Sequence, residues 1–287
     1  MGKYKENILD YIISNKSRLT KKQQLLCDYV LENHKDIGLM TVKELAEKAN
    51  VGKTTVLRFV QELGYDSFFE LKKEFHEVQK DYSDKWENVQ HSFLEVQGDN
   101  VNKTLYSVWQ EVLKVMDNSL NPQLLENFET AIELLENAKT INLLGSRPYR
   151  AIAIYTEALI GEFDSRVRQL SHDGDAIIDR VLQFDEDDVL VIFTFSPYSQ
   201  RDIDAAELAY QQNASIILIT DYLSCPITSK ANVVLKLESS DRYYTLVPML
   251  GLVEAMVIEL GRRQSGNSVR RIKKLVNTLR EKNYITD

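Results

Sequence analysis

The segment Asn50-Val51-Gly52-Lys53-Thr54-Thr55 holds the residue types of two unrelated chemistries. Gly-Lys-Thr ends a nucleotide-binding P-loop, in which backbone amides and a lysine hold phosphates. The same residues could open a helix that lays polar side chains against DNA. A P-loop needs a glycine five residues before its Gly-Lys pair, on a loop that leaves a strand. Glu47 stands at that position, inside an amphipathic helical run, so no backbone nest for phosphate can form. The DNA reading gains from its neighbours. Val56, Phe59, Val60 and Leu63 make one apolar helix face, which leaves Lys53, Thr54, Thr55, Arg58 and Gln61 outward near the helix start. Arg58 can grip a guanine, Gln61 an adenine, and Thr54 or Thr55 a phosphate or a thymine methyl.

The elements that must position these side chains are helical. Thr20-Lys21-Lys22-Gln23, Thr41-Val42-Lys43-Glu44 and Ser67-Phe68-Phe69-Glu70 each read as a capping box that starts a helix. The second box predicts a helix of barely two turns through Leu45, Ala46 and Ala49. A tight turn at Asn50-Val51-Gly52 follows, then a helix from Lys53 to Leu63 that Gly64 ends. That is a helix-turn-helix layout, with Ala46 small at the crossing and Val51 set to staple against Val56. Residues 1–80 are expected to form this all-α domain, and the polar stretch 81–105 a linker.

Charge agrees with a polyanionic partner for the head. Residues 1–80 hold 14 Lys and Arg against 12 Asp and Glu, whereas the whole 287-residue chain has a net charge of −8. Hydrophobic content of 44% and charged content of 27% are those of a globular protein with ample core. No apolar run approaches the roughly 20 residues that span a bilayer, and Cys27 and Cys225 lack metal-ligand spacing. A cytoplasmic protein with reduced thiols and no membrane partner is expected.

From about residue 106 the grammar changes to α/β. The apolar runs TINLLG, RVRQL, DVLVIFTF, SIILIT and NVVLKL alternate with helices at about 122–138, 149–161 and 201–212. Alternation of this kind predicts a parallel sheet covered on both faces. Further helices are expected at about 101–118, 245–263 and 268–282, the last two apolar enough to pair two copies of the chain.

The stretch MTVKELAEKANVGKTTVLRFVQELGYDSFFELKKEF, residues 40–75, resembles the N-terminal domain of RpiR-type bacterial transcription regulators. Members usually carry serine where Gly52 stands. The resemblance implies that residues 106–287 form a flavodoxin-like sugar isomerase (SIS) domain that senses a phosphosugar. Two loops match that domain's pattern. Against Gly-x-Gly-x-Ser the chain has Gly145-Ser146-Arg147-Pro148-Tyr149, so Arg147 replaces the second glycine and Tyr149 the serine. Against Ser-x-Ser-Gly-x-Thr it keeps hydroxyls at Thr194, Ser196 and Ser199, with Pro197 at the glycine. A guanidinium at Arg147 offers a fork for phosphate or carboxylate, so a sugar phosphate or a sugar acid is the expected effector.

The expected protein is therefore a transcription regulator of sugar metabolism genes. It binds a double-stranded DNA operator as a homodimer or homotetramer and needs no cofactor, metal or catalytic residue. A rival reading is a sugar-phosphate isomerase with an accessory helical head. Such an enzyme needs a positioned base; Glu157 and Glu162 lie after the first loop, but they specify no acid/base constellation, and the altered loops favour sensing over turnover. His172 and the DEDD run at 185–188 read as surface turns, and His34, His76 and His91 have no ligand spacing.

Overall fold

The computed structural model describes residues 8–75, 89–90, 93, 101–172, 174–240 and 242–285. Most of the expected linker, His76, His91 and the end of the third expected N-terminal helix lie outside them. The chain divides into two compact units. One holds residues up to Glu95 with Tyr222–Ser224 and Asp241–Tyr243, and the other holds the remainder.

The first unit is helical: α1 (Ile8–Asn15), α2 (Lys21–Glu32), α3 (His34–Ile37), α4 (Val42–Lys48), α5 (Lys53–Glu62) and α6 (68–75). Its core joins Leu9, Ile12, Leu26, Val30, Leu45, Val56, Phe59, Leu71 and Phe75, all fully buried. Two capping boxes form as the sequence predicts. Thr20 N–H donates to Gln23 Oε1 at 3.0 Å and Thr41 N–H to Glu44 Oε2 at 2.7 Å. The third differs in one bond. Glu70 N–H donates to Ser67 Oγ, but the Glu70 carboxylate accepts from Asp66 N–H at 3.1 Å, one residue earlier than a regular box.

The α4–α5 turn has a definite cause. Asn50 takes a left-handed φ of 53°, and Val51 N–H reaches back to Ala46 O at 2.9 Å. That six-to-one bond closes α4 as a Schellman cap, for which asparagine is among the few suitable non-glycine residues. Gly52 then enters α5 in extended conformation. At the far end Gly64, with φ 80°, repeats the motif through Tyr65 N–H to Val60 O at 3.1 Å.

The second unit begins with α7 (Val101–Ser119) and α8 (Pro122–Asn137). A five-stranded sheet follows, built from β1 (Thr140–Gly145), β2 (Val167–Gln169), β3 (Asp188–Phe193), β4 (Ser215–Thr220) and β5 (Val233–Lys236). Interspersed are α9 (Tyr149–Gly161), the short α10 (Ile177–Val181) and α11 (Gln200–Gln211); α12 (Val247–Arg263) and α13 (Ser265–Glu281) close the chain. All neighbouring strands are parallel, in the order β2-β1-β3-β4-β5. Side chains alternate between two cores, which is why the strands read as unbroken apolar runs. Ile141, Leu143, Val189, Val191, Ile217 and Ile219 join one core with residues of α8, α9 and α12. Leu144, Leu190, Ile192, Ile216 and Leu218 join the other with residues of α10 and α11.

Candidate functional site

In the helical unit α5 carries its expected outward set. Lys53, Thr54, Arg58 and Gln61 are exposed and Thr55 is half-buried, while Val56, Phe59 and Val60 are sealed in the core. The structure adds a residue that apolar patterning missed. Leu57 is 47% exposed and lies one helical turn from Lys53, Thr54 and Gln61. An apolar side chain among polar ones on that face suits a thymine methyl.

In the α/β unit the two matched loops leave adjacent strands, since Gly145 of β1 pairs in register with Phe193 of β3. The chain turns outward from β1 to β2 and crosses back to β3, so the loops lie at the switch point of the sheet. Open α/β sheets bind ligands in that crevice, beyond the strand C-termini. Gly145 is required there: a Cβ would lie 2.5 Å from the Tyr149 carbonyl oxygen as the chain doubles into α9. Arg147 adopts φ 53°, a left-handed conformation that explains glycine at this position in the family pattern. Its side chain is exposed. Tyr149 is not; its ring packs 5.7 Å from that of Phe195, and burial with Asp221 nearby pushes its phenol far above the ordinary value.

The second loop is held from below. Thr194 and Ser196 are only 1% and 2% exposed, and Ser199 stands half-buried at the start of α11. Thr194 N–H continues the β4 ladder to Ile219 O at 3.0 Å. Ser196 N–H donates to both oxygens of Asp221, at 3.0 and 3.2 Å, and the Tyr198 hydroxyl to Oδ1 at 3.3 Å. The first loop is tied in the same manner. Ser146 Oγ donates to Asp202 Oδ1 at 2.6 Å, and Gly145 N–H to Ser171 Oγ at 2.9 Å. Asp202 is wholly buried, and burial lifts its carboxyl to about 6 against the pull of Ser146 and Arg201. These two internal carboxylates were not singled out in the sequence. Asp202 takes the hydroxyl of Ser146 in the first loop, and Asp221 takes the backbone amide, not the hydroxyl, of Ser196 in the second.

Other expected residues stand apart. Glu162 caps α9 at the end away from the loops, about 20 Å along a 13-residue helix. Glu157 is two turns along it. His172 is exposed, and Cys225 is a packed thiol pushed up to about 12 by burial. In the DEDD run Asp188 is buried rather than solvated, accepting from the Thr140 hydroxyl and from Asp185 N–H. Among the described residues no three His, Cys, Asp or Glu side chains converge as metal ligands, and no helix is long and apolar enough to cross a membrane.

Comparison with known proteins gives this geometry its context. Residues 6–84 match the helix-turn-helix domain of the rpiR family, and residues 134–259 match the SIS domain. An HTH-type transcriptional regulator of Haemophilus influenzae is 24% identical over 232 residues, 80% of this chain and 79% of that one. The HTH-type transcriptional regulator HexR of Pseudomonas aeruginosa is 22% identical over 218 residues, 75% and 73% of the two chains. Among solved structures, the Vibrio vulnificus NanR protein complexed with ManNAc-6P aligns with TM-score 0.57 at 17% identity, over 98% of this chain and 100% of that one. The sugar isomerase domain of an RpiR transcription factor from Sphaerobacter thermophilus gives 0.57 at 16%, over 60% and 97%. Phosphoheptose isomerase GmhA of Neisseria gonorrhoeae gives 0.51 at 18%, over 57% and 100%, so the fold is shared by regulators and enzymes. With an rpiR-type helix-turn-helix at its head and an SIS domain behind it, the chain belongs to the RpiR-type bacterial transcription regulators.

Proposed function

We propose that this regulator reads an operator through Lys53, Thr54, Thr55, Arg58 and Gln61, and responds to a sugar phosphate or sugar acid. The effector sits against Gly145, Ser146, Arg147, Tyr149, Thr194, Ser196 and Ser199. The observation that carries the reading is the adjacency of the two loops at the switch point, each opening a helix whose N-terminus favours an anion. That the NanR protein is complexed with ManNAc-6P supports the same ligand class. Isomerase activity is disfavoured because Glu157 and Glu162 lie along α9, away from the loops. The chain acts in the cytoplasm as a homodimer or homotetramer, so that ligand repositions paired DNA heads. A mobility-shift titration on the mapped operator, with and without a panel of sugar phosphates and sugar acids, tests this. At least one compound changes operator affinity; a panel that leaves it unmoved sinks the effector half of the reading.

A further inference from the structure

Buried polar groups nearly always find a hydrogen-bond partner, so the exceptions need a reason. Two exceptions are consecutive residues at the start of α11, and a third stands at the end of β2, one residue before the carbonyl that Arg201 reaches. Gln169 Nε2, Arg201 Nε and Asp202 Oδ2 are each buried without a hydrogen-bond partner among the described residues. The other ends of the same side chains are anchored to the site. Gln169 Oε1 accepts from Ser171 N–H at 2.8 Å, and Ser171 in turn holds Gly145. Arg201 Nη2 donates to Leu170 O at 3.3 Å, and Asp202 Oδ1 accepts from Ser146. Thr194 draws the Asp202 carboxyl down in pKa but makes no well-formed bond to Oδ2.

A guanidinium has five N–H donors, and among the described residues Arg201 uses one, in a long bond. The side chain is half-buried, so part of its fork stands open to solvent. Arg147, by contrast, is exposed. Two unused donors, one cationic, with an unused acceptor beside them, describe a ligand with anionic oxygens and a neighbouring hydroxyl.

We infer that Arg201 and Gln169 bind the anionic group of the effector, and that Asp202 Oδ2 accepts from one of its hydroxyls. This rests on the effector reading above and adds to it the residues that select a hydroxylated anion. Arg201 also bears on discrimination: a fork takes phosphate or carboxylate oxygens in pairs, where a lysine gives only a point charge.

The test is calorimetric titration of the full chain with inorganic phosphate, glucose 6-phosphate and gluconate, for wild type, Arg201→Gln, Arg201→Lys, Gln169→Leu and Arg147→Ala. Arg201→Gln is expected to weaken the best-bound probe by about 10- to 100-fold, the loss of a charged hydrogen bond. Arg201→Lys should recover part of that loss, and Gln169→Leu should weaken binding by about 3- to 10-fold. Melting without ligand and ligand-free operator binding should stay near wild-type values for Arg201→Gln, which a merely structural arginine would not allow, whereas Gln169→Leu, which removes the acceptor of Ser171 N–H, should melt lower without ligand. If Arg201→Gln binds as wild type while Arg147→Ala does not, the inference falls and the effector reading stands. If the wild type binds none of the probes at millimolar concentration, both fall together. Should Arg201→Gln fold poorly, undiminished binding by Gln169→Leu overturns the inference in its place.

Discussion

Asp202 is a buried carboxyl in the ligand-free protein, and its protonation should be visible in stability. Its folded pKa of about 6 lies above the ordinary 3.8, so between those values the native state binds more protons than the unfolded chain. Stability therefore falls as pH rises through that window and is flat above it, by up to about 3 kcal/mol for this group. Asp202→Asn keeps an acceptor for Ser146 and removes the titration. The variant should melt above the wild type at pH 7.5, with the gap closing by pH 4; a gap that does not vary with pH refutes this. Gly145 tests packing at the same scale. An alanine methyl would press on the backbone of Tyr149, not on a flexible side chain, so Gly145→Ala should cost about 1–3 kcal/mol. It should also blunt any ligand-induced rise in melting temperature; an unchanged denaturation midpoint would mean the loop relaxes freely.

Among the elements, α5 makes the most specific demand. Arg58→Ala should cost about 1–3 kcal/mol on the operator and relax selection at one base pair. Lys53→Ala, if that side chain touches a phosphate as proposed, should weaken all sequences alike and lower the salt slope by about one. Two variants that bind a mapped operator like wild type would remove α5 as the reader. How much of this could be read in advance divides along physical lines. DVLVIFTF and SIILIT announced themselves because strands covered on both faces are apolar at every position. The α4–α5 turn was legible because capping acts between residues three to six apart. Asp202 and Asp221 were not legible. What gives each its role is a partner 56 or 25 residues away, which only the sheet brings near. The five-residue α10 is too short to declare a period. Leu57 was passed over because patterning assigns apolar residues to the interior.

For the molecule as a whole, pairing is the property that most needs measuring. Ile258 on α12 is 73% exposed, and Val269 and Ile272 of α13 are also exposed, an apolar surface that suits a second copy of the chain. Sedimentation at micromolar concentration should give a dimer or tetramer. Footprints should then show two-fold related half-sites about 10 bp apart or a multiple of that. A monomer would contradict both expectations. The central strand offers a separate handle on how ligand energy spreads. Every residue of β3 is buried, and β1 and β4 bond it on either side. Its amide protons should therefore trade with deuterated solvent only when the whole unit opens. A bound effector that stabilises this unit by mass action would slow that trade at β3 by a factor of one plus the ratio of free effector concentration to Kd, even at amides it never touches.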